Sequence, residues 1–259
     1  MSAHPVAFIH GMYMTPDCWG AWIDLFRANG RVCSAPAWPG RDKPVAVLRR
    51  NHPDPELGRL TLRAVLDHLS GLLQGMEEKP ILIGHSMGGL IVQILLQRGL
   101  GSAAVAIHSA PPPGVFSAEW SFVKSNWPHI TPFAPRGEPI RMSFEQFQYA
   151  FVNTLPPEEQ RAAYDAFVVP ESRRVPAQSL TGIARIDFTQ SGPPLLLTAG
   201  SADNIIPASL NRRNFSKYRR PGSITEFREF TGRTHFVLGQ RNWEEVARFI
   251  LTWLERNGL

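Results

Sequence analysis

Residues 84–88 read Gly-His-Ser-Met-Gly, a pattern in which a serine stands between two glycines at fixed spacing. An apolar run precedes the pattern and a helical pattern follows it. On such a strand-to-helix turn the serine is exposed above the sheet, and bulkier residues in place of the glycines would collide with neighbouring elements. The positive end of the helix then faces the oxygen on which charge develops. Ser86 is therefore a candidate nucleophile; the alternative is a serine that only fills a tight turn.

A serine hydroxyl is a weak nucleophile near neutral pH and needs a general base that is itself oriented by a third group. Among the eight histidines, His235 lies in a turn after the last predicted strand and before the last predicted helix. A side chain on that loop can reach the top of the sheet, so we predict that His235 is the base. His108 ends a predicted strand, and we interpret it as a structural histidine.

The orienting acid is expected at a strand end between the serine and the histidine in sequence. The apolar run at 194–199 breaks at Gly200 and is followed by Asp203. Asp187 precedes that run instead of following it, and we expect it at the surface. The end of the previous strand, at 107–113, offers no acid. Asp203 is the predicted acid.

A His-Gly pair at 10–11 follows the first predicted strand. The small Gly11 allows backbone close to the nucleophile, so the N–H groups of Met12 and Met87 are the predicted donors of an oxyanion hole. Taken alone, His-Gly after a strand is equally well explained as a simple turn.

The elements that must position these residues alternate between short apolar runs and helical patterns, which is typical of an α/β fold with a mostly parallel sheet. Most runs are continuously apolar, as expected for strands covered on both faces. The predicted strands span 5–9, 31–36, 80–84, 103–108, 194–199 and 223–229. Helices are predicted after Thr15, over 62–73, directly after Ser86 and from Asn242.

Residues 111–192 separate two predicted strands by more than 80 residues and are rich in aromatic side chains, Phe133 among them. Inserted segments of this length are usually functional. We predict a mainly helical cap (lid) over 111–192, inserted into a core formed by 1–110 and 193–259. The alternative is a set of helices that extends the core and contacts no ligand.

The composition narrows the class of protein. With 43% hydrophobic and 19% charged residues, the chain has the profile of an ordinary globular protein. The net charge of +5 comes from scattered Lys and Arg residues, so we expect no nucleic-acid partner. No signal sequence and no membrane-spanning run are recognisable. Two cysteines, Cys18 and Cys33, suggest a reducing compartment, and we expect a cytoplasmic protein.

The ordered set of His-Gly at 10–11, Gly-His-Ser-Met-Gly-Gly at 84–89, Asp203 and His235 resembles the α/β-hydrolase superfamily. The resemblance covers nearly the whole chain and is strongest to compact, lid-bearing serine esterases. One departure is that the sheet starts near residue 5, so the N-terminal hairpin of longer members is absent or reduced. That departure does not involve the candidate catalytic positions.

The resemblance implies a twisted, mostly parallel sheet flanked by helices, and a serine hydrolase that cleaves ester-type bonds of small to medium apolar acyl substrates. It implies no organic cofactor, and no metal-ligand cluster is recognisable in the sequence. Acyl transfer, C–C bond hydrolysis or lyase chemistry with the same triad is the main alternative, since the fold hosts all of these. A receptor-like binding protein is a further alternative, and the oligomeric state stays open.

Overall fold

In the computed structural model, which describes residues 4–130 and 137–259, six strands form one sheet in the order β2-β1-β3-β4-β5-β6. Each neighbouring pair runs parallel. The strands are β1 (Val6–Ile9), β2 (Cys33–Ser34), β3 (Ile81–His85), β4 (Ala103–Ile107), β5 (Leu195–Gly200) and β6 (Thr225–Phe230). The predicted α/β architecture with a parallel sheet is confirmed.

The central strands are buried along their whole length, which explains why their sequences are uninterrupted apolar runs. Strand β2 differs, because it lies at the edge of the sheet and pairs through only two residues, Cys33 and Ser34. The prediction of a strand over 31–36 was therefore too long. Val32 is 73% exposed, and Pro36 has no N–H to extend the ladder.

The helices begin and end largely where the sequence predicts. Thr15 caps a 3-10 turn at Pro16–Trp19, and Ser143 forms a capping box with Gln146. The α-helices are α1 (Gly20–Ala28), α2 (Val45–Arg50), α3 (Pro55–Arg59), α4 (Leu62–Gln74), α5 (Met87–Gln97), α6 (Trp120–Ile130), α7 (Phe144–Ala150), α8 (Pro157–Phe167), α9 (Arg174–Ser179), α10 (Ala208–Lys217) and α11 (Glu244–Arg256).

Helix α5 is the central helix of the fold and is buried from Met87 to Leu96. It packs against β1, β3 and β4, so the turn that precedes it is held on a rigid base. Helices α1 and α11 pack on each other. Trp22 of α1 stacks on Trp243 and donates its indole N–H to the carbonyl of Leu238 at 3.0 Å. The sheet is thus flanked by helices that fix the loops at its carboxyl edge.

The segment 111–192 leaves the sheet after β4 and returns at β5, and its described part carries helices α6 to α9 and a short 3-10 helix at Gly182–Ala184. An isolated antiparallel bridge joins Ile140 and Glu171. Residues 131–136, which include Phe133, lie outside the described residues. The mainly helical character agrees with the expectation from sequence, and the role of the segment as a cap stays a prediction.

Two features of the structure relate to expectations from the sequence: the state of the two cysteines and the length and polarity of the helices. Cys18 and Cys33 form no disulfide. Among the helices of residues 4–130 and 137–259, none is both long enough and apolar enough to cross a membrane.

Candidate active site

Ser86 lies on the turn between β3 and α5 with φ 58° and ψ −120°, a backbone conformation that residues with a Cβ rarely adopt. The steric reason predicted for the flanking glycines is present. A Cβ atom on Gly84 would lie 2.1 Å from the Gly88 carbonyl oxygen, and one on Gly88 would lie 2.2 Å from the Ile9 carbonyl oxygen. The close approach of the backbone at Gly84 and Gly88 allows the serine side chain to project from the carboxyl edge of the sheet. Ser86 is 9% exposed.

Asp203 and His235, 32 residues apart in sequence, meet at the same edge of the sheet. The Nδ1 atom of His235 lies 2.7 Å from Oδ2 of Asp203, and both side chains are fully buried. The other carboxylate oxygen accepts the N–H groups of Ile205 at 3.0 Å and Ile206 at 2.8 Å. An Nδ1–H donated to the carboxylate leaves Nε2 of His235 as a proton acceptor. That Nε2 has no hydrogen-bond partner within the described residues.

The electrostatics of the pair keep the acid charged. Burial alone would raise the pKa of Asp203, but the neighbouring His235 and His108 outweigh it and hold that pKa below its ordinary value. An ionised Asp203 holds the His235 ring in one tautomer and stabilises the imidazolium that proton abstraction would create.

Two further histidines surround the pair, and the sequence did not assign either of them to the site. His108 follows β4, is fully buried, and places Nδ1 at 3.2 Å from Oδ2 of Asp203. His85 donates from Nε2 to the backbone carbonyl of His235 at 2.8 Å. Burial lowers the pKa of both His85 and His108, so both rings are neutral near pH 7. The interpretation of His108 as a structural histidine is not contradicted, but the sequence did not predict its contact with Asp203.

The His-Gly pair at 10–11 lies directly against Ser86. A Cβ atom on Gly11 would lie 2.8 Å from Cβ of Ser86, so only glycine fits there. Trp38 donates its N–H to Nε2 of His10 at 3.3 Å, which makes Nδ1 the donor to the Gly11 carbonyl at 2.8 Å. Because a trans peptide directs C=O and N–H to opposite sides, this hydrogen bond points the N–H of Met12 away from His10.

The next residue of this loop is also fixed by hydrogen bonds. Tyr13 has φ 65°, and its N–H is donated to Oε2 of Glu171 at 3.2 Å, while its carbonyl accepts the N–H of Val169 at 2.9 Å. Glu171 is itself paired with the buried guanidinium of Arg41, whose Nη2 lies 2.6 Å from Oε1. The backbone around Met12 is therefore held from the core side and from the inserted segment.

Met87 is the first residue of α5, and the first N–H groups of a helix have no partner within the helix. Gly11 brings the backbone of the 10–13 loop against Ser86 in space, and Met87 follows Ser86 directly in the sequence. The role of the Met12 and Met87 N–H groups as oxyanion-hole donors stays a prediction.

A cavity of about 100 Å³ opens beside Ser86, and most of its lining is apolar. The inserted segment contributes residues from α6 and α9 as well as Phe151. Phe151 also packs edge-on against the His235 ring, with centroids 4.7 Å apart. Met12 and Tyr13 of the candidate oxyanion loop and Met87 of helix α5 also line this cavity.

His108, Asp203 and His235 are also close enough to act as ligands of one metal ion, with donor atoms within 4.8 Å of one another. Both oxygens of Asp203 already accept hydrogen bonds, and Nδ1 of each histidine lies at hydrogen-bond distance from one of them. Asp203 and His235 therefore form a hydrogen-bonded pair with His108 beside them, and the absence of a metal site stays an expectation from the sequence.

A parallel sheet with the glycine-flanked Ser86 turn after β3, and with Asp203 and His235 on the loops after β5 and β6, is the arrangement of the α/β-hydrolase class. The model of the alpha/beta hydrolase family matches residues 6–249, and the chain belongs to this family. No curated protein matches the sequence.

Solved structures of several enzymes are similar to this fold. A monoacylglycerol lipase from Paleococcus ferrophilus has a TM-score of 0.69 at 20% identity, over 97% of this chain and 95% of its own. A methylesterase from Arabidopsis has a TM-score of 0.68 at 14% identity, over 98% and 99%. A pyrethroid hydrolase from Sphingobium faniae has a TM-score of 0.66 at 18% identity, over 97% of each chain. At these identities the similarity establishes the fold alone.

Proposed function

We propose that the protein is a serine hydrolase that cleaves an ester-type bond of a small to medium apolar substrate. The observation that carries this proposal is the buried His235–Asp203 pair at 2.7 Å, with Nε2 of His235 left as a proton acceptor at the sheet edge that presents Ser86. The family and the enzymatic neighbours, which include a lipase and a methylesterase, support the same reaction class.

In this mechanism Nε2 of His235 takes the hydroxyl proton of Ser86 while the serine oxygen attacks the substrate carbonyl. The resulting oxyanion accepts hydrogen bonds from the N–H groups of Met12 and Met87, each worth about 3 kcal/mol in sites of this kind. His235 then protonates the leaving alcohol as the C–O bond breaks, and an acyl-enzyme remains. A water molecule, deprotonated by His235, attacks the acyl carbon and releases the acid and Ser86.

The cavity supports a short acyl group. An apolar cavity of about 150 Å³ is large enough for benzene, with six carbon atoms. The cavity beside Ser86 holds about 100 Å³ and offers apolar contacts from Phe122, Phe151, Ile205 and Ile206. Acyl chains of about two to four carbons are therefore expected to fit without movement of the surrounding helices.

The proposal is tested with a fluorophosphonate probe, which reacts with activated serines. The wild-type protein is expected to become labelled, and Ser86→Ala is expected to lose the label. Ser109→Ala serves as a matched control, because Ser109 is also buried and lies near the end of β4. A folded wild-type protein that resists the probe would show that Ser86 is not an activated nucleophile.

Acyl transfer, C–C hydrolysis and lyase chemistry use the same residues and are separated from ester hydrolysis by a substrate panel. Labelling of Ser86 together with turnover of short 4-nitrophenyl esters supports the hydrolase. Labelling without turnover of any ester in the panel favours one of these alternatives.

A further inference from the structure

His108 shares the catalytic acid with His235. Its Nδ1 lies 3.2 Å from Oδ2 of Asp203, and Nδ1 of His235 lies 2.7 Å from the same oxygen. The opposite oxygen is occupied by the N–H groups of Ile205 and Ile206. Oδ1 thus accepts two N–H groups and Oδ2 bonds to His235, while Nδ1 of His108, a residue outside the Ser-His-Asp set, lies within reach of Oδ2 as a further donor.

The backbone makes this placement possible at an energetic cost. His108 has φ 44°, a region that residues with a Cβ rarely adopt and that concentrates at functional sites. The ring also needs space at the end of β5. A Cβ atom on Gly200 would lie 2.2 Å from the Arg233 carbonyl oxygen and 2.6 Å from Cε1 of His108, so only glycine leaves room for both the Arg233 backbone and the imidazole. The left-handed backbone of His108 and the glycine at position 200 therefore occur together at the contact with Asp203.

Within residues 4–130 and 137–259, three titratable groups face His108, and the Thr234 backbone also lies beside its ring. Asp203 comes from the loop after β5, His235 from the loop after β6, and His85 from the end of β3, with its ring centroid 6.3 Å from that of His108. Burial lowers the pKa of His85 and His108, and both stay neutral near pH 7. A neutral imidazole with its proton on Nδ1 donates to a carboxylate, and the positive end of that N–H offsets part of the carboxylate charge.

We propose, on the basis of the proposed hydrolase function, that His108 is a positioning residue: its Nδ1–H fixes the Asp203 carboxylate and reduces the stabilisation that Asp203 gives to protonated His235. With His108 in place, less of the Asp203 charge acts on the imidazolium that forms when His235 takes the proton from Ser86, and the enzyme is expected to be active at lower pH than without it. Without the second donor, Asp203 binds the protonated imidazole more strongly and the enzyme needs a higher pH to become active.

The test is the pH dependence of the second-order rate of labelling by the fluorophosphonate probe between pH 5 and pH 9, which requires no knowledge of the substrate. In His108→Leu, both ring nitrogens are lost, and the midpoint of the acidic limb is expected to move to higher pH by about half a unit or more. In His108→Asn, an amide N–H occupies the place of Nδ1, and the midpoint is expected to return to the wild-type value. In His108→Gln, the amide reaches toward the place of Nε2, and the midpoint is expected to stay raised.

A purely structural role for His108 would change stability or maximal rate equally in all three variants and leave the midpoint in place. That result, or an equal shift in His108→Asn and His108→Leu, would overturn the proposal. If His108→Leu does not fold, as judged by its thermal melting curve, the comparison of the Asn and Gln variants decides. Retained labelling of Ser86 with an unmoved midpoint rejects only the role of His108, whereas absence of labelling in the wild type rejects the proposed function itself.

Discussion

Replacing Glu171 with glutamine is expected to destabilise the folded protein strongly, although the two side chains have nearly the same shape. The carboxylate is fully buried and pairs with Arg41, which is 1% exposed, through an Nη2–Oε1 distance of 2.6 Å. It also accepts the N–H groups of Ser172 at 2.7 Å and Tyr13 at 3.2 Å. Within the described residues, Nε and Nη1 of Arg41 have no hydrogen-bond partner, so Glu171 is the main compensation for the buried guanidinium charge.

The size of the expected loss of stability follows from the Arg41 charge that the substitution leaves unpaired. Arginine stays protonated in proteins, so Glu171→Gln leaves an uncompensated buried cation. Removing one partner of a buried ion pair typically costs about 3–5 kcal/mol. A loss of about 4 kcal/mol is a large part of the 5–15 kcal/mol by which a typical domain is stable, and it corresponds to a decrease of roughly 8–16 °C in melting temperature.

The assay is urea unfolding followed by tryptophan fluorescence, with the midpoint and slope compared between variants. Glu78→Gln is the matched control, because Glu78 is exposed and its substitution is expected to change stability by less than about 0.5 kcal/mol. The double variant Arg41→Met, Glu171→Gln is expected to recover much of the loss, since it removes the buried cation while the glutamine oxygen still accepts a backbone N–H. A loss below about 1 kcal/mol in Glu171→Gln, or a double variant no more stable than the single one, would refute this reasoning.

Three further outcomes are expected. Asp203→Asn is expected to lower kcat by about 10³- to 10⁴-fold with little change in KM, because the amide favours the wrong tautomer of His235; steady-state kinetics check this, and a loss under tenfold contradicts it. A panel of 4-nitrophenyl esters is expected to give the highest kcat/KM for chains of two to four carbons, because the cavity holds about 100 Å³; a maximum at ten carbons contradicts it. Stability is expected to fall as pH falls from about 6.5 toward 3, because burial lowers the pKa of His10 to about 3 whereas the unfolded chain takes up the proton near 6.5. His10 accounts for about 1.3 kcal/mol of loss between pH 7 and pH 5.5, with His85 and His108 acting in the same direction; urea midpoints independent of pH in this range speak against it.

The strands and the nucleophile turn could be predicted from sequence because their requirements are local. A strand buried on both faces must be apolar throughout, and a strand-to-helix turn as tight as the one at Ser86 requires glycine two residues away on each side. The positions of Asp203 and His235 followed from one rule, that loops after parallel strands meet at the carboxyl edge of the sheet. The structure places these two side chains in direct contact.

The same rule places His108 at this edge, but a histidine at a strand end has two common explanations, and the interpretation as a structural histidine did not foresee its contact with Asp203. The left-handed backbone of His108 and the closeness of its ring to Gly200 are properties of the folded chain that the sequence does not show. The Arg41–Glu171 pair was missed for a different reason. Its partners are 130 residues apart, and a charged residue in a stretch without periodicity is usually exposed. Long-range pairing of this kind leaves no local signal.

The inserted segment 111–192 is held to the core in two different ways. The parts held by main-chain atoms tolerate side-chain changes differently from the part held by side chains. The part around α7 and α8 is joined to the core through main-chain hydrogen bonds, from Phe236 to Phe151 at 3.0 Å and from Val169 to Tyr13 at 2.9 Å. Helix α6 is joined to the core loop at 204–205 by side chains, as in the bond from Asn126 to the Ile205 carbonyl at 3.0 Å. Mutant libraries intended to change the substrate accepted are therefore best directed at Phe122, the cavity-lining residue of α6 whose side chain does not make this bond, so that the attachment of the helix is kept.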